Sequence, residues 1–347
     1  MSTNKNMNDN GSDGSKFEGD EDRLESRAVV PAQTGALYKV KRHCARFWWV
    51  HVIAFCIIFL IIALCLVYVG MPRIAQHDVD ASWLEVTELQ FLDPTPNSVV
   101  LTQRVILHNP SKFTPTLDGF PAANYLVTDG VQGPEPMVYI QFPEIHARKP
   151  TSNHSVENQK VDIVNQEQLA AYASSILANE YVESRLRGRT SLHLGALPTV
   201  RVNFQDTPRY RGLNGLKGFN VTNVRINATK TDGPNLSGFA FIPNPSNMTI
   251  EMGNVTLSLS TDKAGVVGNT TIENFTIRPG DNSLPMSGTM DQMKVVSALD
   301  NGFLDLKIRG SSVIFNGEHI PYYEKALSDN VLPLRMNVLQ VIADSSH

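Results

Sequence analysis

The sequence predicts a mainly β protein, with one N-terminal transmembrane helix followed by two tandem antiparallel β-sandwich domains, each with a short helix. Three observations predict it. A single uninterrupted apolar run occupies 47–70. Beyond it, apolar residues alternate with Thr, Asn, Ser and Gly at a period of two, the pattern of half-buried strands. The same four local features then occur twice in the same order, about 130 residues apart.

Residues 1–46 read as a disordered cytosolic tail that ends in a basic juxtamembrane segment. Positions 1–36 are rich in Asn, Ser, Gly and acids and nearly lack aromatics, so they cannot bury enough apolar surface to offset ordering entropy. The plain reading is a solvated tail. The sharper one is a sorting or signalling peptide modified at Ser2, Ser12, Ser15 or Ser26. Lys39, Lys41, Arg42 and Arg46 would grip anionic headgroups at the cytosolic face, at roughly 1 kcal/mol per charge. Cys44 beside them is either palmitoylated or a free juxtamembrane thiol.

Residues 47–70 read as a signal-anchor helix. The run FWWVHVIAFCIIFLIIALCLVYVG has 24 residues and no Asp, Glu, Lys or Arg. As a helix it rises about 36 Å, enough to span the hydrocarbon core with some tilt. Trp48, Trp49 and Tyr68 would anchor it at the two interfaces. A cleaved signal peptide fits poorly, because the run is long, starts late and lacks a small-residue cleavage pattern. His51 reads as an interfacial residue rather than a proton relay. Four basic residues precede the run within eight positions. Arg73 alone follows it closely, and then come Asp78, Asp80, Glu85 and Glu88. That asymmetry predicts a cytosolic N-terminus and a luminal C-terminus. Sequons agree: Asn10 alone precedes the run, whereas Asn153, Asn220, Asn227, Asn235, Asn247, Asn254, Asn269 and Asn274 follow it as glycosylation candidates, some of them chance matches.

Two luminal repeats are expected, over 71–215 and 216–347. In the first, the strand-like LTQRVILHNPS (Leu101 to Ser111) ends on Asn-Pro-Ser; in the second, LSGFAFIPNPS (Leu236 to Ser246) does the same. Lys149-Pro150 with Asn153 parallels Arg278-Pro279 with Asn282. A capped helix follows each. Asn165 and Gln168 form a capping box ahead of an amphipathic stretch through Leu169, Tyr172, Ala173, Ile176 and Leu177, and Asp291 caps a shorter helix that ends at Gly302. A closing strand comes last, through Leu192 to Leu194 and through Leu304 to Ile308. Met248, Ile250 and Met252 are expected on one strand face; further along, Val255, Leu257 and Leu259 are also expected inside. Sequons put Asn and Thr two apart, on the polar face, so glycans would not disturb the core. All three cysteines (Cys44, Cys56 and Cys65) lie at or before the end of the apolar run, so the repeats depend on core burial rather than disulfides.

This succession of alternating strand, Asn-Pro-Ser, hairpin, Arg/Lys-Pro, short helix and closing strand resembles the group-2 late-embryogenesis-abundant β-sandwich. One anchor helix followed by such repeats is similar to a fungal family of single-pass vacuolar membrane proteins, relatives of the yeast vacuolar protein linked to termination of autophagy. The resemblance implies a vacuole-membrane address and a luminal region without known catalysis, and it transfers no site residues.

The residues carry no zinc-protease, nucleophile-elbow, Walker or dinucleotide signature. A net charge of −4 gives no basic footprint for nucleic acid. His77, His108, His146, His154, His193, His319 and His347 are scattered and fall at no helical metal spacing. Asp78-Val79-Asp80 is a D-x-D pair of the kind that holds a metal in a type II Golgi glycosyltransferase. It lies where such enzymes have a stem, and the α/β alternation of a nucleotide domain is missing, so the two aspartates read as solvated linker charge. The expectation is therefore a protein that is not an enzyme, with no cofactor, no catalytic residue and no metal site. It would be a membrane adaptor, structural or signalling component with an unknown protein partner. The alternative is a luminal lipid or hydrophobic-ligand binder. Its first place to look is Val331 to Ile342, which otherwise reads as a final core strand.

Overall fold

The computed structural model describes residues 47–227, 230 and 233–345. The tail, with Lys39, Lys41, Arg42, Cys44 and Arg46, lies outside them, as do Asn10, His347 and the four tail serines. Helix α1 (Trp48–Cys65) is followed by one π turn (Leu66–Gly70) and then α2 (Met71–Ala81), which together make a 34-residue helix long and apolar enough to cross a membrane. Every side chain of α1 is at least partly exposed, Trp48 and Trp49 among them, as is Tyr68 in the π turn. Pro72 accounts for the π turn: it has no N–H to give the Tyr68 carbonyl, and its ring would press on that oxygen. Widening the helix by one residue relieves both problems.

The solvated linker expected at Asp78 and Asp80 is instead α2 itself. Met71, Ala75 and Val79 recur at helical spacing, and Ala75 and Val79 are buried against the first repeat. Gln76 fixes the helix to a strand backbone through two hydrogen bonds with Asn203, at 2.8 and 2.9 Å.

The first repeat runs through β1 (Trp83–Thr95), β2 (Ser98–His108), β3 (Thr116–Leu117), β4 (Phe120–Thr128), β5 (Val131–Gln132), β6 (Val138–Phe142), β7 (Ile145–His146), β8 (Thr151–Asp162), α3 (Gln166–Ala178), β9 (Tyr181–His193), β10 (Val200–Asp206) and β11 (Arg209–Arg211). The second has β12 (Asn220–Ile226), β13 (Leu236–Asn244), β14 (Met248–Thr261), β15 (Gly265–Ile277), β16 (Gly280–Met290), α4 (Gln292–Ala298), β17 (Phe303–Phe315), β18 (Glu318–His319), α5 (Pro321–Asp329), β19 (Leu332–Asn337) and α6 (Val338–Ser345).

One topology serves both repeats. The antiparallel pairs β1–β2, β2–β8, β4–β6, β4–β9 and β9–β10 of the first repeat recur as β12–β13, β13–β16, β14–β15, β14–β17 and β17–β19 in the second. In the first repeat a single bridge, Val138 to Ile163, joins the halves, so the sandwich has two sheets. In the second, a full ladder from Gly268–Met290 to Ile272–Met286 closes the same gap, and one sheet curls over its own core. The repeats are also joined to each other: β1 pairs in parallel with β14 through Leu89–Met248, Gln90–Thr249 and Phe91–Ile250.

The expected alternation is observed, with Met248, Ile250, Met252, Val255, Leu257 and Leu259 all buried. The phase shift between even and odd positions falls at Gly253, a bulge with φ +84°. A Cβ there would lie 2.5 Å from the Ile314 carbonyl oxygen, so glycine is required by both conformation and space. The bulge divides β14 into a segment that pairs with β1 and a segment that pairs with β17.

Both predicted caps are present. Asn165 accepts from the Gln168 N–H at 2.9 Å, although Gln168 does not complete the box, its own Oε1 having no partner. Asp291 accepts from the N–H groups of Met293 and Lys294 at 3.0 and 3.2 Å. Helix α3 buries Leu169, Ala170, Tyr172, Ile176 and Leu177. Each large apolar side chain buried this way is worth about 1.5–3 kcal/mol. The final core strand expected over 331–342 is half right: β19 ends at Asn337, whose Oδ1 accepts from the Gln340 N–H at 3.2 Å and so starts α6.

Candidate functional site

The two Asn-Pro-Ser segments make the same small hydrogen-bonded unit. Asn109 Oδ1 accepts from the Ser111 N–H at 3.0 Å, and Asn244 Oδ1 accepts from the Ser246 N–H at 2.9 Å. The serine hydroxyl then accepts from the second following N–H, that of Phe113 at 3.0 Å and that of Met248 at 3.2 Å. The asparagine amide donates to the carbonyl four residues on, that of Phe113 at 3.0 Å and that of Met248 at 2.8 Å. Both asparagines are buried. Asn fits because one short side chain supplies donor and acceptor together, and Pro fits because its missing N–H is not needed there. The motif is thus a structural turn, repeated.

The first copy also holds α2. Ser111 Oγ donates to Asp78 Oδ2 at 2.6 Å, while Asp80 Oδ1 accepts from Gln76 at 2.7 Å. The D-x-D carboxylates are therefore separately engaged, and among the described residues no three His, Cys, Asp or Glu side chains are placed to hold a metal. Met71, Ile74, Val79, Phe113, Leu194 and Phe204 line an apolar cleft of about 530 Å³ along this contact.

A second cleft of about 530 Å³ lies where the repeats meet, between α3 and α5. Tyr172, Ile176, Tyr322, Tyr323 and Leu327 line it, with Phe91 edge-on to Tyr172 at 6.4 Å. The cleft is open to solvent, and its enclosed part has room for only a few water-sized groups. The Tyr172 and Tyr210 hydroxyls bond to each other, and burial pushes both up, Tyr210 to about 12. Tyr322, also raised by burial, has a hydroxyl without a partner. Helix α5 is not among the elements expected from the sequence, yet its signal is local: Pro321 at the first helical position, then apolar residues at 322, 323, 326 and 327.

The described histidines beyond the apolar helix form no metal-binding cluster, and most of them meet one carboxylate each. His108 bonds Glu85 at 2.9 Å and stacks on Trp83 at 3.7 Å; His193 bonds Asp118 at 2.9 Å; His146 pairs with Glu144 at 3.0 Å; His319 bonds Glu324 at 2.7 Å; His77 lies 3.7 Å from Asp78. His154 bonds Ser152 at 2.9 Å, and burial, His146 and Arg148 together hold its pKa below the usual value. In α1, His51 Nδ1 is 3.1 Å from the Phe47 carbonyl oxygen, and Cys56 and Cys65 are exposed free thiols.

Of the sequon asparagines, Asn153, Asn220, Asn227, Asn247, Asn254, Asn269 and Asn274 are exposed. Asn235 is different. Its amide donates to the Met290 carbonyl at 3.0 Å and accepts from the Met290 N–H at 2.8 Å, closing the β13–β16 edge.

Residues 135–259 match a family described as a protein of unknown function (DUF3712). No curated protein matches the chain. Among solved structures the chain is similar to a protein from Archaeoglobus fulgidus, 12% identical over 37% of this chain and 96% of that one, with TM-score 0.22. It is similar too to a solution structure from Arabidopsis thaliana, 14% identical over 37% of this chain and 80% of that one, with TM-score 0.24. At these TM-scores neither likeness bears on function.

Proposed function

We propose that the chain is a non-enzymatic single-pass protein of the fungal vacuole membrane. Its glycosylated luminal double sandwich acts as an adaptor, structural or signalling module, and its tail faces cytosolic machinery, autophagy-related by the resemblance noted above. The observation that carries this reading is the absence of a stem. The apolar run ends at Gly70, α2 begins at Met71, and α2 is clamped to the first sandwich by Gln76, Asp78 and its buried face. With α2 clamped to the first sandwich directly after the apolar run, little slack chain is left between them, which suits a scaffold better than a tethered catalytic domain. Endoglycosidase treatment of the full-length protein should increase its gel mobility, and protease added to sealed vacuoles should spare the C-terminal bulk. Unchanged mobility together with digestion of that bulk would invert the orientation and remove the basis of the proposal. Deleting residues 1–36 tests the tail: unchanged sorting and autophagy signalling would assign it no role.

The second reading is a luminal site for a small hydrophobic ligand, favoured by the apolar cleft at the repeat joint and its unpartnered Tyr322 hydroxyl. Native mass spectrometry of the full-length protein released from nanodiscs should then show a bound apolar species that Leu327→Trp displaces. An apo mass alone would reject it.

A further inference from the structure

We propose that one end of the first sandwich docks into the surface of the membrane that the apolar helix crosses, through Phe113 and Leu197 flanked by Lys112, Arg148 and Lys149. The inference rests on the helix being a membrane span.

The geometry comes from the register of α2 on β10. Gln76 is level with Asn203, and the Leu84 N–H, just past the end of α2, bonds Asp206 Oδ2 at 2.7 Å, so β10 and α2 run the same way. A strand rises about 3.3 Å per residue, so Val200 lies roughly 10 Å before Asn203. Helix rise is about 1.5 Å per residue, so the matching level on the helix is some six or seven residues before Gln76, near Val69 and Gly70. The loop 194–199, which precedes Val200, therefore sits level with the apolar end of the helix. Leu197 at its tip is 42% exposed.

Two further loops share this end. Thr116 pairs with His193 on one side and His146 on the other, and the Ala147 N–H bonds the Pro115 carbonyl at 3.0 Å. Strand β3 runs antiparallel to β9, so the chain before Thr116 and the chain after His146 both lie toward the 194–199 turn. Phe113, 45% exposed, lines the same cleft as Met71 and Ile74 at the start of α2. Lys112, Arg148 and Lys149 are exposed in these two loops, and Lys149 Nζ donates to the Lys112 carbonyl at 3.0 Å, tying them together. Glu144, the acid nearest in sequence to this rim, is paired with His146.

An aromatic and an aliphatic tip ringed by cations, level with the end of an apolar helix, fits a phospholipid surface. The apolar tips enter the acyl boundary and the cations meet headgroup phosphates. A protein partner for the same rim would have to insert between it and the bilayer.

The test uses full-length protein in phosphatidylcholine–phosphatidylserine nanodiscs, with Cys44, Cys56 and Cys65 replaced by Ala. Single nitroxide labels are placed by Phe113→Cys, Leu197→Cys, Ile57→Cys in the span, and Met293→Cys, which is exposed on the second repeat. Collision with oxygen is then compared with collision with a water-soluble nickel chelate. Labels at 113 and 197 should show an oxygen-to-nickel ratio several-fold above that at 293, approaching that at 57. A water-like ratio at 113 and 197 with a lipid-like ratio at 57 overturns the docking and leaves the span intact. A water-like ratio at 57 overturns the span and the docking with it. Thr114→Cys, on the same loop, serves if Phe113→Cys misfolds.

Discussion

Replacing Asn109 by Ala should destabilise the first repeat by about 3 kcal/mol. The buried amide makes three hydrogen bonds, to the Phe113 carbonyl, the Ala147 carbonyl and the Ser111 N–H, all at 3.0 Å. Each is worth about 1 kcal/mol net, and a buried group left unpaired adds to that, so about 3 kcal/mol is a lower figure. Asn109→Asp keeps the acceptor but sets a carboxylate against two carbonyl oxygens. It should be at least as harmful at neutral pH and partly relieved in acid, where a protonated oxygen can donate. The assay is urea unfolding of the full-length protein in nanodiscs, read by Trp83 fluorescence with Trp48 and Trp49 changed to Phe. Trp83 stacks on His108, next to Asn109, and so reports the right region. A loss below about 1 kcal/mol, or an Asp variant as stable as the native protein at neutral pH, would refute the turn as the reason for Asn.

Other outcomes follow from the same structure. Gly253→Ala should destabilise by more than about 2 kcal/mol, because φ +84° and the 2.5 Å approach to Ile314 both exclude a Cβ; chemical denaturation checks it. Asn247→Gln, at an exposed sequon, should remove one glycan by intact mass, whereas Asn235→Gln should lower the melting temperature, since its amide already serves Met290. Burial raises the Asp206 pKa above 3.8, against the lowering effect of the Leu84 and Thr207 N–H groups. Its stability contribution is thus full below 3.8 and lost as pH rises through the folded value, so native stability minus that of Asp206→Asn should fall across that window. His154 has the opposite sign: its contribution is present above 6.5 and lost as pH falls through its lowered value, and His154→Gln should flatten that part of the melting profile.

Much of the fold was legible from local pattern. Period-two alternation located the strands around Met248 to Leu259, Asn165 and Asp291 marked two helix starts, and the recurrence of Asn-Pro-Ser exposed the repeat. The site features were less so. Asp78 and Asp80 read as linker charge because a carboxylate pair after an apolar run is usually solvated; the hydroxyl that bonds Asp78, that of Ser111, is 33 residues away. Helix α5 was overlooked although Pro321 and the spacing of Tyr322, Tyr323, Ala326 and Leu327 announce it.

By itself, then, the sequence determined what depends on neighbours along the chain: an apolar helix, the faces of strands, the caps, and a turn that needs Asn and Pro together. Tertiary structure alone decided that β1 joins β14 in parallel, that one repeat splits into two sheets while the other curls from one, and that α2 locks onto β10. Those outcomes hinge on contacts such as Gln76 with Asn203 or Phe91 with Ile250, between residues more than a hundred positions apart. Dihedral preference and hydrophobic period act over a few residues, whereas which buried faces meet is settled only when distant strands compete for the same edge.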